Sequence, residues 1–340
     1  MKEMSSNVCK ENTLKNINSN YILYNIFSFL NEKKSLEIIK YNNYFQKRLN
    51  KDINDYKRYT QIELEIIPIN LEKKNYFIYF NDKQYYHIYF NDEKKEINKR
   101  YFETNEKVNK IRITIDYEIK SFINLFSYCK CIKKINFIKF NRSNIVDMSG
   151  MFSDCESLEY LNLINFKTDK VTDMSSMFAN CKSLKKLNLI NFNTNRVENM
   201  SNMFRGCTSL CELNITNFNT NNVSNMNSMF QRCMSLREIK CNEFNTNKVT
   251  DMKYMFHFCY SLKELMLNGF DANNVRDMSF MFVACHSLKE LNLNISTNNT
   301  NINMESMFFD CSKELINKIK KSNSDIKSEA FYSIENFCYW

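Results

Sequence analysis

Residues 174–199 read MSSMFANCKSLKKLNLINFNTNRVEN, and the same order of apolar and polar residues recurs every 26 residues along most of the chain. A methionine stands seven residues before most of the recurring cysteines, and Phe122 takes that place in the earliest copy. Self-similarity at a fixed period of this length predicts a solenoid, in which each copy buries its apolar face against the next. The recurring cysteines are Cys129, Cys155, Cys181, Cys207, Cys233, Cys259, Cys285 and Cys311.

Each copy is predicted to contain one short helix, one short strand and one turn. Met174, Met177, Phe178 and Cys181 fall at offsets 0, 3, 4 and 7, which would place them on one face of a helix. The leucines that follow alternate with polar residues, as in a half-buried strand, and an Asn/Thr-rich turn comes next. We expect the strands to form one parallel sheet, from residues 158–163, 184–189, 210–215, 236–239, 262–267 and 288–293.

The segment L-x-x-L-x-L at residues 184–189 resembles a leucine-rich repeat. The ordinary repeat carries Asn or Cys three residues after the third leucine, whereas this chain carries phenylalanine there, as at Phe192. Together with M-F-x-x-C, this pattern resembles the BspA-like class, also called the 26-residue surface-protein or mycoplasma-lipoprotein repeat. The resemblance implies an α/β solenoid, a right-handed leucine-rich-repeat-like stack with a parallel sheet. It implies a binding scaffold but no particular partner.

Composition argues against several classes of function. The formal charge of +9 is spread over 340 residues without a run of five basic residues, so nucleic acid is not an expected partner. The three glycines of the chain offer no phosphate-binding loop, and no nucleophile or paired-acid motif is present. We therefore expect no enzymatic activity, no cofactor and no small-molecule substrate. The close cysteine pairs lack the histidines or further cysteines of a zinc site, so no metal is expected.

Location follows from the chain's beginning and its cysteines. Residues 1–15 are polar, and no stretch is apolar enough for a signal peptide or a membrane span. Thirteen cysteines, most of them in an apolar ladder, are predicted to be unpaired thiols. Both observations predict a cytoplasmic protein in a reducing compartment, with no membrane partner.

The chain divides into five predicted segments. Alternation of apolar and polar residues with period two, together with Asn-Asp turns, marks the β module at 59–120. A stack of repeats requires a cap at each end. The last copies lose the repeat's turn residues before an amphipathic helix follows. The segments are a disordered tail at 1–17, a helical segment at 18–58, a small antiparallel β module that acts as N-terminal cap at 59–120, about eight rungs at 121–311, and a C-terminal helical cap at 312–340.

The helical segment carries a second resemblance. Its core reads I-L-x-x-I-F-S-F-L and is similar to an F-box, although the usual Leu-Pro is absent and Phe45 stands for a later Trp. That resemblance implies docking onto a Skp-type adaptor of a ubiquitin ligase. An independent three-helix bundle or a plain helical cap remains the alternative. The candidate docking residues, at helical spacing, are Ile22, Leu23, Ile26, Phe27 and Leu30.

Positions that do not repeat are the candidates for binding. Strand residues next to the buried leucines point to the opposite, concave face, which is apolar near the β module and acidic further along. Two alternatives stay open: the isoleucines pack under the β module, and the preceding Arg237, Lys263 and Lys289 offset the glutamates. The candidate partner-binding residues are Ile138, Tyr160, Ile164, Lys186, Ile190, Glu212, Glu238, Glu264 and Glu290.

Three functions compete at this stage. The first is a non-enzymatic scaffold that binds a partner protein of unknown identity through the concave face. The second is a ubiquitin-ligase substrate adaptor, with residues 18–58 on the Skp-type adaptor and the repeats on the substrate. The third is a cell-surface adhesin, as the BspA-like resemblance implies.

Overall fold

The computed structural model describes residues 14–239, 244–267, 269–293, 295, 301–322 and 325–332. Four short helices come first: α1 (Asn20–Ser28), α2 (Glu32–Ile39), α3 (Asn43–Leu49) and α4 (Ile53–Thr60). Each begins with a side chain that accepts a hydrogen bond from the first turn, namely Ser19, Asn31, Asn42 and Asp52. They enclose a small core of Leu23, Phe27, Ile39, Phe45 and Leu49.

The ordered chain begins before the predicted boundary at residue 18. Leu14 and Ile17, which were assigned to a disordered tail, pack against the core of the helical bundle. Arg48 donates to the carbonyl of Asn18 at 2.9 Å, which fixes the entry into α1. Residues 1–13 of the predicted tail lie outside the described residues.

The β module pairs with the first repeat and extends its sheet. Its strands are β1 (Ile62–Pro68), β2 (Lys74–Tyr76), β3 (Tyr86–Phe90), β4 (Tyr101–Glu103) and β5 (Ile111–Ile115). Strand β6 (Ile132–Phe140) belongs to the first repeat, and β1 pairs with it in antiparallel register. With β7 (Tyr160–Asn162) of the second repeat, the resulting sheet has the order β3-β5-β1-β6-β7, so the module occupies the edge that β6 would otherwise expose.

The repeat strands are shorter than predicted, and among the described residues they do not join into one hydrogen-bonded sheet. They form three parallel pairs: β6 with β7, β8 (Lys186–Asn188) with β9 (Glu212–Asn214), and β10 (Glu264–Met266) with β11 (Glu290–Asn292). The Asn162 and Asn188 side chains accept the N–H groups of Ile164 and Ile190 at 3.1 Å, which takes those donors from a neighbouring strand. Residues 236–239, predicted as a strand, form none.

The predicted short helix of each copy is wrong, because the chain there forms a series of tight turns. In the copy that starts at Met148, the N–H groups of Met151 and Cys155 donate to carbonyls three residues earlier. Gly150 and Asp154, the third and seventh residues, have left-handed backbone angles (φ 60° and 59°) that an α-helix excludes. The same two positions are left-handed in all eight copies.

Alternate N–H groups of each turn segment point to the next copy. Met148, Gly150, Phe152 and Asp154 donate to carbonyls 25 residues later, at 2.7–3.0 Å. This bonding produces parallel bridges that link Ser121, Asp147, Asp173, Asn199, Asn225, Asp251, Asp277 and Asn303 in succession. Neighbouring copies therefore satisfy each other's backbone groups, which a single copy is too small to do.

Inside the turns, the predicted Met, Phe and Cys positions are buried as expected, except that Cys311 in the last copy is half-buried. One phenylalanine from each copy stacks on the next, from Phe126 to Phe308, with ring centroids 5.3–5.7 Å apart and planes within 9°. From Cys155 onward, each ladder cysteine donates from Sγ to the carbonyl of the phenylalanine 29 residues earlier, at 3.0–3.2 Å. Within the described chain these cysteines are free thiols.

The last copy is completed by the segment that follows it. Helix α5 (Lys313–Ser322) lies where an amphipathic helix was predicted, and it buries Leu315 and Ile319. A 3-10 turn at Ser328–Phe331 then accepts N–H groups from Ser306 and Phe308 through the carbonyls of Glu329 and Ala330. Phe331 stacks on Phe308 with centroids 5.7 Å apart, so this segment stands in for a further copy.

The left-handed positions yield a prediction about stability. Ser176 has φ 55°, an arrangement that costs an L-residue about 1–2 kcal/mol and a glycine almost nothing. Ser176→Gly should raise the free energy of unfolding by about 0.5–1 kcal/mol, after the greater freedom of glycine in the unfolded chain is counted. Ser175→Gly, next to it at a position without positive φ, should lower stability instead. Urea unfolding of both variants checks this, and equal effects of the two would contradict the turn geometry.

Candidate functional site

The strand side chains that alternate with buried leucines share one outward face. Parallel pairing sets Tyr160 beside Lys134, Glu212 beside Lys186, and Glu290 beside Glu264. In-register pairing of this kind brings side chains of successive copies to the same height. All nine predicted partner-binding residues lie on this face or at its border, and all are exposed.

Four apolar side chains of this face form what we call the apolar patch. Ile138, Tyr160, Ile164 and Ile190 are 52%, 53%, 65% and 43% exposed. The isoleucines therefore do not pack under the β module, which was one of the two alternatives. Contiguous exposed apolar side chains on successive strands are typical of binding surfaces.

Asparagine side chains fix the backbone beneath the apolar patch. The Asn191 side chain donates to the carbonyl of Ile164 at 2.9 Å, and Asn217 donates in the same way to Ile190 at 2.7 Å. Each isoleucine is thus tied to the following copy, and its N–H is held by the asparagine two residues before it. The patch is consequently preorganised, which reduces the entropy lost on binding.

Beyond the patch the face becomes acidic. We call Glu212, Glu238, Glu264 and Glu290 the acidic stripe. Lys186 contacts Glu212 with Nζ–Oε1 at 2.7 Å, and this hydrogen bond raises the pKa of Lys186. At the far end Lys318 of α5 contacts Glu290 at 2.9 Å. Both pairs are well exposed to solvent, so they stabilise the fold little.

Sequence reasoning missed a shallow cavity of about 310 Å³ beside Ile138. The β module supplies its other walls, including Glu63, Tyr89, Arg112 and Thr114. It exists because β1 pairs with β6, so the outward face of the repeats runs on into the module. The period-two alternation of the module indicated which residues share a face, but nothing in it indicated the pairing with β6.

The structure divides the predicted adaptor-docking residues. Leu23 and Phe27 are 0% and 6% exposed in the core of the helical bundle, so they do not form a docking surface. Ile26 and Leu30 are half-buried, and Ile22 is 51% exposed. Phe29, which was not predicted, is 89% exposed at the end of α1. The prediction was wrong for Leu23 and Phe27 because a four-residue spacing identifies the inward face of a helix but does not say which neighbouring element covers it.

The described residues contain neither a cluster of metal ligands nor a membrane-spanning helix. Nowhere among them do three or more His, Cys, Asp or Glu side chains converge as a metal site requires. No helix in that part of the chain is both long and apolar enough to cross a membrane.

The periodic bridges, the stacked phenylalanines and the strand face define a repeat protein. The chain belongs to the family described as Mycoplasma protein of unknown function, DUF285, which matches residues 120–238 and 210–323. The predicted BspA-like, mycoplasma-type repeat is thereby confirmed at the level of the family. Residues 18–58 lie outside the match, so the F-box resemblance stays a prediction.

Two other comparisons were made. A leucine-rich repeat protein from Bacteroides ovatus is similar at 15% identity, over 61% of this chain and 71% of that chain, with a TM-score of 0.24. None of the curated proteins matches the chain.

Proposed function

We propose that the protein is a non-enzymatic interaction scaffold that binds a partner protein through the outward strand face. The observation that carries this proposal is the apolar patch: four large apolar side chains from three successive copies are 43–65% exposed, although the fold does not need them outside. Core positions repeat because packing requires it, whereas the patch occurs only in the first copies and so reflects another constraint.

The proposal includes a solenoid as the support of this face. The bridges from Ser121 to Asn303 and the phenylalanine stack are what successive stacked copies would produce. In such an architecture the strands line one side and the turn segments the other, so the partner meets an extended surface rather than a pocket. Aromatic side chains are favoured anchors at protein interfaces, which makes Tyr160 the central contact.

The test uses the intact chain and two face variants. Tyr160→Ala and Ile190→Asp should each weaken partner binding at least tenfold, or about 1.4 kcal/mol, while stability changes by less than about 1 kcal/mol. Affinity capture from source cells with quantitative mass spectrometry identifies the partners, and titration of a purified partner measures the loss.

Ile123→Asp is the matched control, because Ile123 is 52% exposed on a turn segment away from the face. Proteins captured equally by all variants would mean that the outward face is not the binding surface. Unfolding of the chain by Ile190→Asp would contradict the exposure of that side chain.

A further inference from the structure

One half of the outward face is apolar and the other half is acidic, and the charge of the acidic half is opposite in sign to the net charge of the chain. The protein carries a formal charge of +9, yet the acidic stripe places four glutamates at equivalent positions of successive copies. Glu264 and Glu290 are in direct parallel register, and like charges in that arrangement are destabilising. Such a pattern is expected where an oppositely charged molecule completes the surface.

The chain's own cations offset only part of the stripe. Lys186 neutralises Glu212, and Lys318 bridges Glu290 and Glu314 at 2.9 and 3.2 Å. Within the described residues no ion pair joins a cation to Glu264. The sequence alternative, in which Lys263 and Lys289 offset the stripe, is therefore not realised at Glu264.

Apolar surface also continues beside the stripe. Met266 is 48% exposed on the same strand as Glu264 and two residues further along, so both side chains share the outward face. A ligand that follows the face from Ile190 thus meets apolar groups at both ends and carboxylates between and beside them. Inorganic cations alone would leave this apolar surface uncovered.

From this arrangement we infer the chemistry of the partner, an inference that rests on the proposed function. The occupant is an extended protein segment with a large apolar residue in the apolar patch and Lys or Arg side chains over the acidic stripe. Tyr160 and Glu264 occupy the same position in copies that are four repeats apart, which at about 4.8 Å per copy is about 19 Å. An extended chain rises about 3.3 Å per residue, so the cation that meets Glu264 lies about six residues from the apolar anchor at Tyr160.

The experiment is a selection of phage-displayed random 12-residue peptides on the intact immobilised chain. Enriched peptides should be cationic and should carry an apolar residue about six positions from a Lys or Arg. Synthetic copies should bind at least tenfold more weakly to Ile190→Asp and to Glu264→Lys. Their affinity should fall with added salt, and less steeply for Glu264→Lys. Glu198→Lys, an exposed charge reversal on a turn segment, should change affinity less than twofold.

The outcomes separate the two proposals. Peptides that need Ile190 but are neutral or acidic would overturn the inferred partner chemistry and leave the scaffold function standing. A selection that yields no binder dependent on Ile190 would overturn both. Light scattering that shows a dimer lost in Ile190→Asp would assign the face to a second copy of the chain, and the inference would then be wrong.

Discussion

Raising the pH from 8 to 10 in the presence of a reducing agent is expected to unfold the protein. Burial raises the pKa of the ladder thiols, to about 12 for Cys207 and Cys259 and well above the ordinary value for Cys181 and Cys233. In the unfolded chain the same thiols ionise near pH 8.5. Since their folded pKa is the higher one, their contribution to stability is present below about pH 8.5 and is lost as the pH rises toward 12.

The size of this effect follows from the number of equivalent thiols. Each buried thiol costs about 1.4 kcal/mol per pH unit above its unfolded pKa, or roughly 2 kcal/mol by pH 10. Eight cysteines occupy the ladder, and burial raises the pKa of every one. Their combined effect is comparable to the entire stability of an ordinary domain, about 5–15 kcal/mol.

Urea unfolding followed by circular dichroism at several pH values measures this dependence. Cys233→Ala should reduce the slope of stability against pH by one thiol's share, about 1.4 kcal/mol per pH unit. Val249→Ala removes a fully buried side chain that does not titrate, so it should lower stability without changing the slope. A free energy of unfolding that stays level between pH 8 and 10 would show that the thiols are not protected by burial.

Cys233→Asp is expected to destabilise the protein by several kcal/mol at neutral pH. The side chain of Cys233 is 0% exposed, and its Sγ donates to the carbonyl of Phe204 at 3.1 Å. An ionised carboxylate has no proton to donate there and faces a carbonyl oxygen in an apolar interior, which is among the most costly arrangements in a core. Denaturant unfolding at pH 7 measures the loss.

Two comparisons show whether charge or volume causes that loss. Cys233→Ser keeps a donor of similar size for the Phe204 carbonyl and should cost clearly less than the aspartate variant. Because burial favours the neutral acid, the penalty of Cys233→Asp should also shrink as the pH falls toward 5. An aspartate variant as stable as the serine variant would mean that position 233 is open to water.

Much of the buried ladder could be predicted because its cause is periodic. Met, Phe and Cys at fixed offsets must face the same way in every copy, so their burial follows from the 26-residue repeat alone. The local conformation did not follow, since offsets of 0, 3, 4 and 7 fit either a helix or a chain of tight turns. Gly150 and Gly206, at the left-handed third and seventh positions, were the residues that distinguish the two.

The candidate site could be predicted in part for a related reason. Alternation along the strands identified Tyr160 and Ile190 as facing away from the leucines, and both are exposed. Whether the β module covered them depended on the pairing of β1 with β6, which joins residues about 70 positions apart. The same limit applies to Leu23 and Phe27 of the helical segment, because their spacing predicted a shared helix face but not that the other helices cover it.

The hydrogen bonds between copies have a consequence for how such a protein can change in evolution. Each turn segment offers the next the same set of donors, and the segment at Ser328–Phe331 accepts the last set. Removing or duplicating one unit of 26 residues in frame therefore rejoins matching edges, and only the two ends are irreplaceable. A changed copy number would move the acidic half of the face relative to the apolar half by one strand spacing. Recombination between copies would thus adjust the length of the segment that we propose the protein recognises, while its core chemistry stays the same.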